Sequence, residues 1–123
     1  MKKALLDSSF IISAAKEKLD IFEELQEYQI LVPEQVINET FRISESNQSL
    51  KDKDAASLAL KILHNSRDQF KRIDLDSGHT DNQIVKYAEN DPEVFVATLD
   101  KEIRSKLKGR SIVIRQGSRI EVV

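Results

Sequence analysis

The stretch VFVATLDKEIRSKL, residues 94–107, decides the fold of this chain. Its first five residues are apolar or β-branched, which predicts a short buried strand over residues 94–98. Leu99 and Asp100 then lead into a helix that extends to Leu107, and Gly109 ends that helix. A buried strand that runs through an acidic residue directly into a helix is typical of α/β proteins.

The same pattern recurs elsewhere in the chain. Residues 3–6 form another short apolar run that ends in an acid, Asp7, and Ser8 or Ser9 can cap a helix over residues 10–15. Further strands are predicted at residues 29–32, 70–75, 111–115 and 119–123. Further helices are predicted at residues 20–28, from Pro33 with Phe41 on the packed side, from Asp54 or Ser57, and at residues 81–89.

Strands that alternate with helices predict an α/β fold of three layers, α/β/α, in which helices cover both faces of an open, mostly parallel sheet. Residues 44–53 are the most polar stretch and are predicted to form a loop. We find no internal repeat, and we expect one domain over residues 1–123.

Composition limits the kind of protein. The chain has 123 residues, of which 40% are hydrophobic, with no Cys and 2 His. The absence of Cys excludes disulfides, a thiolate metal site and a cysteine nucleophile. Phosphate-binding loops, dinucleotide-binding motifs and serine-hydrolase motifs are also absent. No apolar run approaches the ~18 residues that a membrane span needs, and we expect a cytoplasmic protein without membrane association.

Acidic residues stand at the carboxyl ends of predicted strands, where open parallel sheets form their active sites. Asp7 ends the first strand, Asp100 follows the strand quoted above, and Asp81 opens a later helix. Glu39 borders the packed side of the helix that precedes the polar loop. Each acid alone could cap a helix or lie in solvent, but four acids brought together repel one another unless a cation neutralises them. The group therefore favours Mg²⁺ or Mn²⁺, which prefer oxygen ligands and suit chemistry on phosphodiesters.

Four motifs follow one another in a recognisable order and span nearly the whole chain. The first is LLDSSFII (residues 5–12), a strand that ends in an acid and two small polar residues. The second is VPEQVINE (residues 32–39), a strand, a Pro and a helix that bears an acid. The third is TDNQIV (residues 80–85), and the fourth is VFVATLDKEI (residues 94–103), a strand that ends in Thr-x-Asp. Together they resemble the PIN-domain family of metal-dependent ribonucleases.

The resemblance implies a PIN-like sheet of about five parallel strands in the order 3-2-1-4-5, with Asp7 on the central strand. It also implies an endoribonuclease that depends on Mg²⁺ or Mn²⁺, closest to the branch related to ribosomal RNA processing. The catalytic acids would be Asp7, Glu39, Asp81 and Asp100. The metal ligands would be Asp7, Asp81, Asp100 and an auxiliary acid, Glu102.

Small polar residues beside these acids also acquire roles from the resemblance. Ser8 or Ser9 would bind the scissile phosphate or a water on the metal. Thr98 would belong to the substrate-binding residues and would orient Asp100. Ser9 stands where many members have Asn, and Asn82 stands where the processing branch often has a second Asp. The missing charge at Asn82 leaves open whether one or two ions bind.

Charge is distributed unevenly along the chain, although the net charge is only −2. Residues 101–123 contain seven Lys and Arg against two Glu, a balance of +5, whereas residues 1–100 contain twelve against nineteen, a balance of −7. Lys101, Arg104 and Lys108 are predicted to share one face of the helix after Asp100. This face could bind RNA phosphates beside the acids, and a solvated face with its cations near the helix C-terminus explains it equally well.

Other functions remain open. A non-catalytic RNA-binding or scaffold subunit could share the fold, and so could a ribonuclease toxin of a two-gene pair that an antitoxin restrains. A flavodoxin-like phosphotransfer module also has clustered acids, but a basic helix after Thr-x-Asp is not expected of it. RNA is the expected partner, and a homodimer, an antitoxin and a ribosome-assembly protein are the alternatives for a protein partner. His79 either touches substrate at the rim of the site or is a turn residue.

Overall fold

The computed structural model describes residues 1–47 and 49–123. The strands are β1 (Lys3–Leu6), β2 (Gln29–Pro33), β3 (Lys71–Ile73), β4 (Val94–Ala97), β5 (Ser111–Arg115) and β6 (Arg119–Val122). The helices are α1 (Ser8–Lys16), α2 (Ile21–Glu24), α3 (Glu34–Ser44), α4 (Leu50–Asn65), α5 (Thr80–Glu89) and α6 (Lys101–Lys106), and a short 3-10 helix covers Arg67–Gln69. Within these residues, no helix combines the length and apolarity that a membrane crossing requires.

In the described part of the chain, six strands form one sheet in the order β3-β2-β1-β4-β5-β6. The first five of these strands in the chain pair in parallel, and β6 pairs antiparallel with β5. Leu5 at the centre of the sheet is paired with Leu31 on β2 and with Val96 on β4. The predicted α/β class and the order 3-2-1-4-5 are confirmed, and β6 adds a small antiparallel edge.

The two central strands are buried on both faces, which explains their continuous apolar sequences. Residues 4–6 on β1 and Val94, Val96 and Ala97 on β4 have no exposed surface. Helices α1, α3 and α4 pack on one another, while α5 packs on β4 and contacts α6. Because helices flank these strands, polar groups at the strand ends can reach solvent only at the sheet edge, where the chain leaves each strand.

The predicted loop over residues 44–53 is wrong at its carboxyl end, because α4 begins at Leu50 and not at Asp54 or Ser57. The Ser49 side chain accepts the N–H of Asp52 at 3.2 Å and so caps the helix. The cap starts α4 one turn before its first buried residue, Ala55, where the apolar pattern becomes visible in the sequence. Gln48, in the same predicted loop, lies outside the described residues.

Three smaller predictions about helices are also wrong. Asp7, and neither serine, caps α1, because its carboxylate accepts the N–H of Ser8 at 2.9 Å. Helix α2 ends at Glu24 and not at residue 28, since the chain turns there on its way into β2. Phe41 is 55% exposed. The inward positions of α3 belong to Val36 and Thr40, which lie one turn apart.

Arg110 closes the connection between α5 and β4. Its Nη1 donates to the carbonyl oxygens of Ala88 at 2.9 Å, Asp91 at 3.0 Å and Val94 at 2.8 Å. These carbonyls belong to the last turn of α5, to the turn that follows, and to the first residue of β4. The carbonyls of Ala88 and Asp91 also accept the N–H groups of Asp91 and Val94, so the guanidinium adds a second donor there and ties the helix end, the turn and the strand together.

We expect Arg110→Lys to lower the free energy of unfolding by about 1–3 kcal/mol, because an ammonium on a flexible stem cannot hold the three carbonyls as the planar guanidinium does. Urea unfolding followed by circular dichroism measures the loss. Arg115→Lys is the matched control, since Arg115 is exposed and pairs only with exposed Glu121 at 3.1 Å. Equal losses in the two variants would contradict the role given to Arg110.

Candidate active site

Asp7 lies at the end of the central strand β1 and is only 5% exposed. Its carboxylate accepts hydrogen bonds from the N–H of Ser8 at 2.9 Å, from Thr98 Oγ1 at 2.7 Å and from Ser9 Oγ at 3.2 Å. Burial raises the pKa of the Asp7 carboxyl above its ordinary value, and these hydrogen bonds oppose the rise without cancelling it. The protein therefore holds a carboxylate in a place where its charge is poorly solvated.

Glu39 comes to Asp7 from the neighbouring strand by way of α3. Ser8 Oγ donates to Glu39 Oε1 at 3.0 Å, so the residue after Asp7 holds the side chain of Glu39. The charge of Glu39 also contributes to the raised pKa of Asp7. The two carboxylates therefore repel each other electrostatically at the end of the sheet.

Asp81 and Asp100 complete the group of acids. Asp100 caps α6 by accepting the N–H of Glu102 at 2.8 Å. Asp81 is an exposed residue whose carboxyl is partly desolvated. That desolvation raises its pKa, and the negative charges of Asp7 and Asp100 raise it further. His79, exposed at the start of α5, lowers the pKa of Asp81. The acids from β1, from α5 and from the end of β4 therefore share one electrostatic environment, with His79 at its rim.

Thr98 and Ser9 connect the ends of the two central strands. Thr98 has no exposed surface, and its hydroxyl donates to Asp7 and accepts the N–H of Asp100 at 3.1 Å. Ser9 Oγ donates to Asp7 and accepts the N–H of Leu99 at 3.1 Å. The Thr98 hydroxyl thus binds the backbone N–H of Asp100, and it binds the side chain of Asp7. The sequence pattern did not indicate this link to Asp7 or the part played by the backbone of Leu99.

The segment that leads to Asp81 is fixed by the first turn of α3. The Gln35 side chain accepts the N–H of Leu75 at 3.1 Å and donates to the Leu75 carbonyl at 3.0 Å, as a neighbouring strand would. Its Nε2 also donates to Asp74 Oδ1 at 2.8 Å. Because α3 also carries Glu39, this contact fixes the position of Glu39 relative to the segment before Asp81.

The donor set of this site fits a hard divalent cation. It consists of carboxylate oxygens. Burial first, and the charges of neighbouring acids second, raise the pKa values of Asp7 and Asp81, and a cation would counter both effects by stabilising the charged carboxylates. Within residues 1–47 and 49–123, no three His, Asp or Glu side chains stand ready as a closed ligand group. Side-chain adjustment would accompany binding, and the assignment of ligands, including exposed Glu102, stays a prediction.

The basic residues after Asp100 do not form the single helix face that the sequence predicts. Helix α6 ends at Lys106, so Lys108 lies beyond it, and Gly109 follows with a φ of 77°. Lys101 is exposed and Arg104 is partly buried on α6. In the described part of the chain, the buried Nε of Arg104 has no hydrogen-bond partner.

Comparisons with known proteins agree on the fold. The model of a family described as "PIN like domain" matches residues 4–117. The chain is 30% identical over 131 aligned positions to Ribonuclease VapC4 of Methanocaldococcus jannaschii, covering 99% of this chain and 97% of that protein. The solved structure of the PIN domain endonuclease Utp24 matches with a TM-score of 0.72 and 18% identity, over 98% of this chain and 95% of that chain.

A second solved structure, PAE2754 from Pyrobaculum aerophilum, matches with a TM-score of 0.60 and 16% identity. It covers 89% of this chain and 83% of that chain. At these identities the two solved structures show only that the fold is shared. The family match and the sequence match to the ribonuclease also show membership of a common family.

We expect Thr98→Val to lower the free energy of unfolding by about 1–3 kcal/mol, because it removes a donor from Asp7 and an acceptor from the N–H of Asp100. Thr98→Ser keeps the hydroxyl and should recover most of the loss. Urea unfolding of the three proteins in EDTA measures both effects. If serine and valine cost the same, the hydroxyl does not hold the two acids.

Proposed function

This chain belongs to the PIN-like domain family, and from that membership we propose that it is an endoribonuclease that depends on Mg²⁺ or Mn²⁺. Residues 1–123 would form one domain. The observation that supports this proposal best is the group of four acids, Asp7, Glu39, Asp81 and Asp100, delivered by separate elements to one edge of the sheet. Burial is the main reason that the pKa values of Asp7 and Asp81 are raised, and neighbouring acids add to it: the charge of Glu39 acts on Asp7, and the charges of Asp7 and Asp100 act on Asp81. A bound cation would offset these repulsions.

Asp7, Asp81 and Asp100 would hold the ion, with Glu102 as an auxiliary ligand. When bound, such an ion acidifies a water molecule and neutralises charge on the phosphate. Asp100 is anchored at the start of α6, where its Oδ1 accepts the N–H of Glu102. Thr98 keeps Asp7 from rotating away, since its hydroxyl donates to Asp7 Oδ2 at 2.7 Å.

Glu39 is the candidate general base. Ser8 donates to Oε1 of Glu39, which leaves Oε2 free of a described hydrogen-bond partner and able to accept a proton from the attacking water. Ser8 therefore acts first as the residue that orients Glu39. Ser9 likewise donates to Asp7. A contact from either serine to the scissile phosphate would come in addition to these bonds.

RNA would approach from the basic end of the chain. Lys101 and Arg104 lie on the helix that begins directly after Asp100, and Lys108 follows on the connection to β5. Lys and Arg contacts to phosphate supply affinity that does not depend on base sequence. Arg104 is only partly buried as a residue, so its guanidinium could contact a phosphate, although its Nε is itself buried.

A ribonuclease toxin restrained by a partner protein is the second candidate. A partly apolar cavity of about 680 Å³ lies between α1, α2 and α4, with Phe22, Leu58 and Ile62 in its lining. Leu58 is 43% exposed there. This groove would suit an apolar segment of an antitoxin. Arrest of cell growth on expression of the chain, relieved by the product of a neighbouring gene, would distinguish the toxin from an RNA-processing enzyme.

The purified chain is expected to cleave single-stranded RNA internally with Mn²⁺ and to stop in EDTA. Asp7→Asn and Asp100→Asn should each lower the cleavage rate by more than about 100-fold, because each removes a charge from the proposed ion. Labelled RNA resolved by electrophoresis gives the rates, and circular dichroism verifies that the variants fold.

Glu89→Gln is the matched control, since exposed Glu89 lies at the end of α5 opposite Asp81. Its rate should equal that of the unaltered protein. Cleavage that persists in EDTA, or in Asp7→Asn, would show that the activity does not arise from these acids.

A further inference from the structure

A second cavity, of about 290 Å³, opens directly beside the acids. We call it the slot. Ile12, Ile43 and Leu99 form its apolar lining, and Ser13 also lines it. Lys16 and Asp52 belong to the lining as well, and they form an ion pair whose side chains are each about one third exposed.

The slot and the acid group share residues. Ser9 lines the slot, and its hydroxyl donates to Asp7 at 3.2 Å. Leu99 lines the slot as well, and its N–H donates to Ser9 Oγ at 3.1 Å. A molecule held at the acids by a phosphate group would therefore lie next to the slot.

The chemistry of the slot favours a planar, mostly apolar group with hydrogen-bonding atoms on its edge. Aliphatic side chains offer contact to a ring face, while Lys16 and Asp52 present a donor and an acceptor to its edge. The carboxylate of Asp52 disfavours a phosphate in the same place, because like charges repel. A nucleobase meets each of these conditions.

We propose that the slot binds one unpaired nucleobase of the RNA, on the nucleotide adjacent to the scissile bond; this inference rests on the proposed ribonuclease function. It makes the substrate a single strand or a loop. A base held in a duplex would first have to leave its stack, at a cost of a few kcal/mol. In the described part of the slot no aromatic ring is present, so contact with the base depends on aliphatic packing and on the ion pair.

The test fills the slot and removes the base in turn. Ser13→Phe places a ring at the slot, and Ser13 is partly exposed with only a long bond of 3.5 Å to Glu17, so the fold should tolerate it. Asn65→Phe adds the same ring on exposed surface at the opposite end of α4 from Asp52. The ligand is a short fluorescent single-stranded RNA, together with copies in which one nucleotide at a time is abasic. Anisotropy in EDTA gives the dissociation constants, and cleavage with Mn²⁺ is measured separately.

At one position of the RNA, loss of the base should weaken binding to the unaltered protein about tenfold. Ser13→Phe should weaken binding of the intact RNA by a similar factor, without weakening the abasic RNA further, because both changes remove the same contact. Asn65→Phe should bind like the unaltered protein.

Two results would contradict the proposal that the slot binds a base. One is an unchanged dissociation constant for the intact RNA with Ser13→Phe. The other is a combined loss of affinity, for Ser13→Phe with the abasic RNA, that equals the product of the two separate losses, as independent changes give. If the two losses of affinity are coupled but the protein does not cleave RNA in Mn²⁺, base binding in the slot is supported and the ribonuclease function is contradicted. If the protein cleaves RNA but the two losses are independent, the ribonuclease function is supported and base binding in the slot is contradicted.

Discussion

The Asp7 carboxylate lies almost out of solvent at the end of the central strand, and a charge in such a place needs donors around it. The chain supplies a backbone N–H from Ser8 and hydroxyls from Ser9 and Thr98. The same three residues reach further partners: the Ser8 hydroxyl donates to Glu39, the Ser9 hydroxyl accepts the N–H of Leu99, and the Thr98 hydroxyl accepts the N–H of Asp100. The residues that stabilise one buried acid therefore also hold the side chain of Glu39 and the backbone of Asp100.

The parallel sheet makes this arrangement available. Strands β1 and β4 are hydrogen-bonded neighbours, and both point their carboxyl ends to the same edge. Asp7 and Asp100 follow those two strands, while Glu39 and Asp81 come from α3 and α5. Gln35 bonds α3 to the segment that precedes α5. Partial burial of the carboxyl is the main cause of the raised pKa of Asp81, and the negative charges of Asp7 and Asp100 add to it. A hard cation would be attracted by the same carboxylates that repel one another, so its binding would stabilise the group.

The fold and the group of acids could be predicted from local sequence, because β1, β2 and β4 run within a few residues into an acid or a helix start. Asp7 and Asp100 were found in this way. The hydrogen bonds between them were not, since Ser9 and Leu99 are 90 residues apart in the chain. The start of α4 could not be predicted, because the residues around it are polar and only the capping bond of Ser49 marks where the helix begins. The prediction that Lys101, Arg104 and Lys108 share one helix face was wrong, because α6 ends before Lys108.

The central claim is that Asp7 and its neighbours form an incomplete charge cluster that a divalent cation completes. The most direct measurement is the free energy of unfolding of the unaltered protein and of Asp7→Asn as Mn²⁺ is added to protein prepared in EDTA. The unaltered protein should gain stability with the logarithm of the Mn²⁺ concentration, by about 2.7 kcal/mol at 100 times the dissociation constant, and Asp7→Asn should gain far less. Equal gains in the two proteins, or no gain in either, would contradict the account.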